Sequence, residues 1–254
     1  MIRLTFNDKK VQAPEGMTLL ELARREKVLV PGLCYHPAVK PLGSCRLCLV
    51  EIREARENYS DLFTSCNYPV KEDIAVWTGS PRVLKARALI FELLLARSPS
   101  SSELRQLAAS YGVTSSRFTF ANVQDEKCIL CGLCVRVCQD LIQKNAINMA
   151  YRGPDCRVVA SHKGPSPDCI GCAACAFVCP TGAVQADREG NRLRLSPWKT
   201  DLPLKTCSHC GDLFAVEKTV EHIKSRFELA GEKESLCSGC RRQEAVRTLE
   251  GLMK

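Results

Sequence analysis

Thiols are the side chains whose number and spacing here demand chemistry. The chain holds 17 cysteines, and an odd count does not close into a disulfide framework. Sixteen fall into four sets of four: Cys34, Cys45, Cys48 and Cys66; Cys128, Cys131, Cys134 and Cys138; Cys169, Cys172, Cys175 and Cys179; Cys207, Cys210, Cys237 and Cys240. Cys156 stands alone and is expected to be an unligated thiol. The start, "MIRLTFNDKK", lacks a signal-peptide core. In a reducing compartment, clustered C-x-x-C spacing points to metal rather than disulfides.

"CILCGLCVRVCQD", from Cys128, and "CIGCAACAFVCPT", from Cys169, share the spacing C-x2-C-x2-C-x3-C. Three thiolates three residues apart on a tight loop can cap three corners of an iron–sulfur cube, and the fourth cysteine is expected to begin a helix. The pattern resembles that of bacterial ferredoxins with two 4Fe–4S clusters, in which the fourth cysteine crosses to the other cluster. That resemblance implies one cluster on Cys128, Cys131, Cys134 and Cys179, and another on Cys169, Cys172, Cys175 and Cys138. Gly132 and Gly171 supply torsions that other residues resist. Pro180 follows Cys179 as in those ferredoxins, whereas Gln139 replaces proline in the first run. A structural zinc site would rarely use two such runs.

The first set, Cys34-x10-Cys45-x2-Cys48-x17-Cys66, fits neither a zinc finger nor the short-spaced plant ferredoxin pattern. With "VPGLCYHP", "LGSCRLCLVEI" and "TSCNYPV", it resembles the 2Fe–2S motif opening the large iron–sulfur subunit of respiratory complex I. Related subunits of NAD-linked hydrogenases and formate dehydrogenases share it, and the likeness covers most of residues 1–187. Such subunits usually carry a further 4Fe–4S cluster on one His and three Cys. Here "ARSPSSSELRQLAASYGV" occupies that place without a His or Cys, so the scaffold is expected to persist as a plain loop and helix without that cluster. His36 reads as a turn residue or a supporting group beside Cys34, and His162 and His222 as surface residues.

The last set pairs "CSHCGDLF" with "CSGCRRQ". Two C-x2-C knuckles fit a zinc ribbon closed by tetrahedral thiolates; a third 4Fe–4S cluster is the alternative. The helix "AVEKTVEHIKSRF" between them would pack on the ribbon or on a partner. Residues 199–254 hold ten Lys/Arg against nine Asp/Glu, too even a balance for a phosphate-reading module. No nucleic-acid partner is expected.

The positioning elements follow from pattern. "IRLTF", a turn at Asn7-Asp8 and "KKVQA" make a hairpin. Thr18 and Glu21 form a capping box opening a short helix to about Glu26, and "RLCLVEI" reads as a strand, the set suiting a β-grasp arrangement. Ser80 and Pro81 open the helix "PRVLKARALIFELLLAR", "SPSSS" breaks it, and "ELRQLAASYG" is a second helix ending at Gly112. "SPWKTDLPLK" reads as a linker. The expected fold is α+β: a β-grasp 2Fe–2S ferredoxin domain (1–78), a cluster-free helical linker (79–124), a two-[4Fe–4S] ferredoxin domain (125–195) and a zinc-ribbon-like domain (196–254).

Hydrophobic content of 45% and charged content of 25% are ordinary for a soluble globular protein, and the net charge of +8 reads as a solvated surface. No stretch approaches the roughly 20 apolar residues of a membrane span, since Glu92 interrupts the most apolar run; a cytoplasmic chain is expected. No G-x-G-x-x-G fingerprint and no nucleophile–base pair is evident. Catalytic residues are therefore not assigned. With one 2Fe–2S cluster, two 4Fe–4S clusters and one zinc ion, the chain reads as a wire. The resemblance implies a hetero-oligomer in which it joins a flavoprotein NAD(P)H-binding subunit to a catalytic oxidoreductase subunit. The competing function is a redox-sensing regulatory protein.

Overall fold

Asn7 and Asp8 both adopt positive φ, 47° and 65°, the torsions of a tight hairpin turn that Asn and Asp tolerate. Around them β1 (Ile2–Phe6) and β2 (Lys9–Ala13) pair antiparallel, as expected. The computed structural model describes residues 1–54, 59–120, 126–161, 164–226 and 234–252; His162 lies outside them. Backbone contacts divide the chain into two units, Met1–Arg136 with Val178–Ala183, and Val137–Phe177 with Val184–Lys254.

In the first unit, Thr18 and Glu21 form the capping box of α1 (Leu19–Arg25). Strands β3 (Leu49–Glu54), β4 (Asp61–Thr64) and β5 (Ile74–Trp77) complete a sheet ordered β2-β1-β5-β3-β4, with β1 and β5 parallel. Period-two alternation turns Leu4, Phe6, Val50, Ile52, Ile74 and Val76 inward onto Leu19 and Leu22 of α1. This is the β-grasp layout. The strand expected from Arg46 starts later, at Leu49, because Arg46 at φ 58° still belongs to the loop that presents Cys45 and Cys48.

Ser80 caps α2 (Pro81–Arg97) by accepting the Val83 amide at 3.2 Å, and Ser98 ends it. Ser101 then caps α3 (Ser102–Ser110), with Gly112 at φ 77° just beyond. Residues 98–112 are thus the loop and helix expected of them, and Tyr111 stacks against Phe91 of α2 at 5.3 Å between ring centroids. The short α4 (Leu133–Arg136) completes this unit's helices.

The second unit begins with a π turn, Val137–Leu141, followed by the antiparallel pair β6 (Ile147–Ala150) and β7 (Arg157–Ala160). After α5 (Ala174–Phe177), strands β8 (Gln185–Glu189), β9 (Arg192–Ser196), β10 (Thr200–Thr206) and β11 (Leu213–Val216) form an antiparallel sheet ordered β11-β10-β9-β8. Helices α6 (Glu217–Arg226) and α7 (Ser238–Leu252) follow. The expected linker "SPWKTDLPLK" is therefore a turn and a strand. Its prolines disguise it: Pro197 sits in the turn, and Pro203 faces out while Thr200 and Leu204 are buried.

Candidate metal centres

Cys34, Cys45, Cys48 and Cys66 are all buried. Cys48 immediately precedes β3, Cys66 sits in a 3-10 turn after β4, and the two pack in one buried cluster with Leu20 of α1. The Cys45 amide donates to Cys34 Sγ and the Leu33 amide to Cys45 Sγ, each at 3.4 Å. Sulfur-to-sulfur hydrogen bonds split the thiols: bonding from Cys45 and Cys66 holds Cys34 far below the usual thiol range, and Cys66 holds Cys48 down to about 6. The same bonds push Cys45 and Cys66 up. Four thiols linked in a hydrogen-bonded chain in the interior cannot all ionise without compensating cations. The site therefore fits an iron–sulfur cluster held by these residues.

Arg87 is a member of this site that sequence reasoning missed. It lies on the buried stripe of α2 with Val83, Phe91 and Leu95, and only 3% of it is exposed. Its guanidinium donates to the carbonyls of Leu47 (3.1 Å) and Leu49 (2.8 Å), on either side of Cys48, and to Thr78 (3.2 Å). Burial pushes its pKa down, and the Tyr111 ring lies 5.8 Å away. The available signal was a charge at i+4 spacing within an apolar stripe.

The two repeated runs have one conformation. Leu130 and Gly132 in the first, and Gly171 and Ala173 in the second, all take positive φ, at 55°, 72°, 72° and 57°. Two left-handed residues at matching positions bend each loop and aim successive amides inward. The Leu130 amide reaches Cys128 Sγ at 3.4 Å, and the amides of Leu133 and Ala174 act on Cys131 and Cys172 at matching positions. Glycine fills one left-handed position per run, a different one each time. The helices α4 and α5 carry the third cysteine of each run, Cys134 and Cys175, rather than beginning at the fourth as expected. The chain turns helical directly after the left-handed pair.

The thiols group across the runs. Cys179 lies in the first unit with Cys128, Cys131 and Cys134. Burial pushes Cys131 up to about 12, with further upward contributions from the charges of Cys128 and Cys179. Cys138 lies in the second unit with Cys169, Cys172 and Cys175. Burial raises Cys172, and the charges of Cys169 and Cys138 raise it further; Cys175 is pushed up to about 12, first by burial. In each group desolvation and the charges of neighbouring thiolates oppose ionisation, which suits thiols that would be held by a metal cluster.

Two hydrogen bonds tie the first site to the Cys128 run inside the first unit. Ser44 Oγ donates to the Cys131 carbonyl at 2.9 Å, and Arg136 Nη2 donates to the Cys34 carbonyl at 3.0 Å. Arg136 also donates to the Lys40 carbonyl. His36 accepts the Ala38 amide at 3.3 Å, a turn-closing role.

The sulfurs of Cys207, Cys210, Cys237 and Cys240 lie within 4.8 Å of one another, with Cys210 and Cys237 at 3.7 Å. One ion with metal–sulfur bonds of about 2.3 Å holds tetrahedral thiolates about 3.8 Å apart. Thiolates on four corner irons stand farther apart, because the cube lies between them. The group thus fits a single metal ion. The Cys210 and Cys237 amides hold Cys207 down to about 6, whereas desolvation raises Cys240 to about 12. His209, inside the first knuckle and overlooked from sequence, puts Nδ1 at 3.7 Å from Cys240 Sγ. His222 on α6 is partly exposed.

Comparison with known proteins agrees with this geometry. A 2Fe-2S iron-sulfur cluster binding domain matches residues 1–81, and a 4Fe-4S dicluster domain matches residues 127–183. The chain is an iron–sulfur protein. It is 28% identical to a subunit of the NADH-quinone oxidoreductase of Rhizobium meliloti, over 93% of this chain and 30% of that protein. It is 28% identical to NADPH-Fe(3+) oxidoreductase subunit alpha of Geobacter sulfurreducens (83% and 27% covered). With NADP-reducing hydrogenase subunit HndD of Solidesulfovibrio fructosivorans it shares 31% (72% and 36%). The chain spans about a third of the length of these relatives. A chain in the crystal structure of NAD+-reducing [NiFe]-hydrogenase in the H2-reduced state matches with a TM-score of 0.63 at 26% identity, covering 92% of this chain and 99% of that one. Among the described residues, no helix is long and apolar enough to cross a membrane.

Proposed function

We propose that the chain is an electron-transfer subunit that relays electrons between a flavin/NAD(P)H-oxidoreductase subunit and a catalytic subunit of a larger complex, such as a hydrogenase, formate dehydrogenase or other reductase. Cys34, Cys45, Cys48 and Cys66 would hold a 2Fe–2S cluster. Cys128, Cys131, Cys134 and Cys179 would hold one 4Fe–4S cluster, and Cys169, Cys172, Cys175 and Cys138 the other. When bound, these clusters supply reversible one-electron transfer and no bond chemistry. The chain's own residues bury the thiols, aim amides at sulfur and fix the spacing of the ligand loops. The observation that carries the proposal is the pair of hydrogen bonds from Ser44 to the Cys131 carbonyl and from Arg136 to the Cys34 carbonyl, which lock two ligand loops together. With no thiol or imidazole in residues 98–112, that direct neighbourhood takes the place of an intervening cluster.

The proposed role of Cys207, Cys210, Cys237 and Cys240 is a structural zinc site closing a ribbon-like C-terminal module; their mutual distances favour it over a third 4Fe–4S cluster. The test of the relay is the native complex. A stoichiometric flavoprotein should co-purify, and NADH or NADPH should reduce this chain's clusters through it. An isolated monomer whose clusters no nicotinamide-reduced partner reduces would rule the relay out.

A further inference from the structure

The dicluster domain match ends at residue 183, yet the sheet and helix that follow close over the second four-thiol group. Within the second unit, Thr219 Oγ1 of α6 donates to the carbonyl of Ile170, beside Cys169, at 2.6 Å. Lys218 Nζ donates to the Pro167 carbonyl at 3.2 Å. A Cβ added at Gly171 would meet Val216 of β11 at 2.8 Å and Leu202 of β10 at 2.9 Å, so both strands press on the ligand loop itself. Trp198, in the turn between β9 and β10, is 6% exposed. It lines an apolar cavity with Cys138, Cys169, Cys172, Cys175 and Leu195. Its indole N–H is buried and has no hydrogen-bond partner among the described residues, and Cys175 is one of the sulfur-bearing residues lining the cavity beside it.

A buried indole N–H seeks an acceptor, and the cavity that Trp198 lines offers it the sulfurs of four cysteines. We propose that the β9–β10 turn is a built-in lid over the second 4Fe–4S site, and that Trp198 donates its indole N–H to the Cys175 sulfur of the bound cluster. This rests on those four thiols holding a cluster. Hydrogen bonds to sulfur stabilise the electron-rich reduced state, and exclusion of water also sets a cluster's potential. Trp198 is then a potential-setting residue drawn from outside the ferredoxin motif, and β10, which leaves its turn, runs directly into Cys207 of the C-terminal four-thiol group.

Two measurements on the full chain test this. The protein has two tryptophans, Trp77 and Trp198; with indole-15N labelling, pulsed EPR of the reduced protein should show one 15N coupled to one 4Fe–4S signal. Trp198→Phe, which keeps an aromatic ring but removes the donor, should abolish that coupling and shift that cluster's midpoint potential downward, leaving the other 4Fe–4S cluster unmoved. Should the variant fail to load, the labelled wild-type protein decides by itself. A loaded second cluster with no 15N coupling overturns the proposal alone. Absence of any cluster on Cys138, Cys169, Cys172 and Cys175 overturns it together with the assignment beneath it.

Discussion

Arg87 shows how one side chain can set both the shape and the electrostatics of a ligand loop. Its fork satisfies three carbonyls, two of them flanking Cys48, and its buried positive charge would favour electrons on a nearby cluster. The two roles separate by substitution. Arg87→Leu leaves buried acceptors unsatisfied, a loss of about 2 kcal/mol after relief of the guanidinium's own desolvation, and should lower the 2Fe–2S potential. Arg87→Lys keeps the charge but not the fork, so it should lose stability while holding the potential near wild type. Thermal loss of the cluster and redox titration measure the two quantities; equal potentials in both variants would remove the electrostatic role. At this scale the thiols were legible because liganding needs one residue type at short spacing. Arg87, Trp198 and His209 were not, because each matters through a neighbour that only the folded chain supplies.

The elements divide in the same way. The hairpin at Asn7-Asp8, the capping box at Thr18 and Glu21, and the Ser80-Pro81 helix start were readable, since each depends on residues adjacent in sequence. Strands β4 and β5, four residues each, were too short to show a period, and the prolines around β10 imitated a linker. The ligand loops hold the finding of most consequence, since thiols group across the two runs rather than within them. Cys138→Ser should therefore damage the cluster beside Cys169, Cys172 and Cys175, and Cys179→Ser the one beside Cys128, Cys131 and Cys134. Cluster-resolved EPR of the two variants checks this. Damage confined to the run that carries the substitution would contradict the grouping.

As a whole, the molecule would be a wire of three clusters with a separate structural ion. Its ligand sets exhaust sixteen of the seventeen cysteines and leave Cys156, which closes a 3-10 turn ahead of β7. No catalytic constellation is needed, because chemistry at either end would belong to other subunits. In the proposed relay, the loop-to-loop hydrogen bonds of the first unit and the strands and helix over the second group would hold the redox centres in fixed positions. The most direct test is the metal content of anaerobically prepared native protein, with Mössbauer spectroscopy to sort the iron by cluster type. About ten irons per chain, in one two-iron and two four-iron clusters, together with one zinc, is the predicted result. About fourteen irons and no zinc would make the C-terminal thiols a third cubane, and about six or fewer in fully loaded protein would contradict the wire itself.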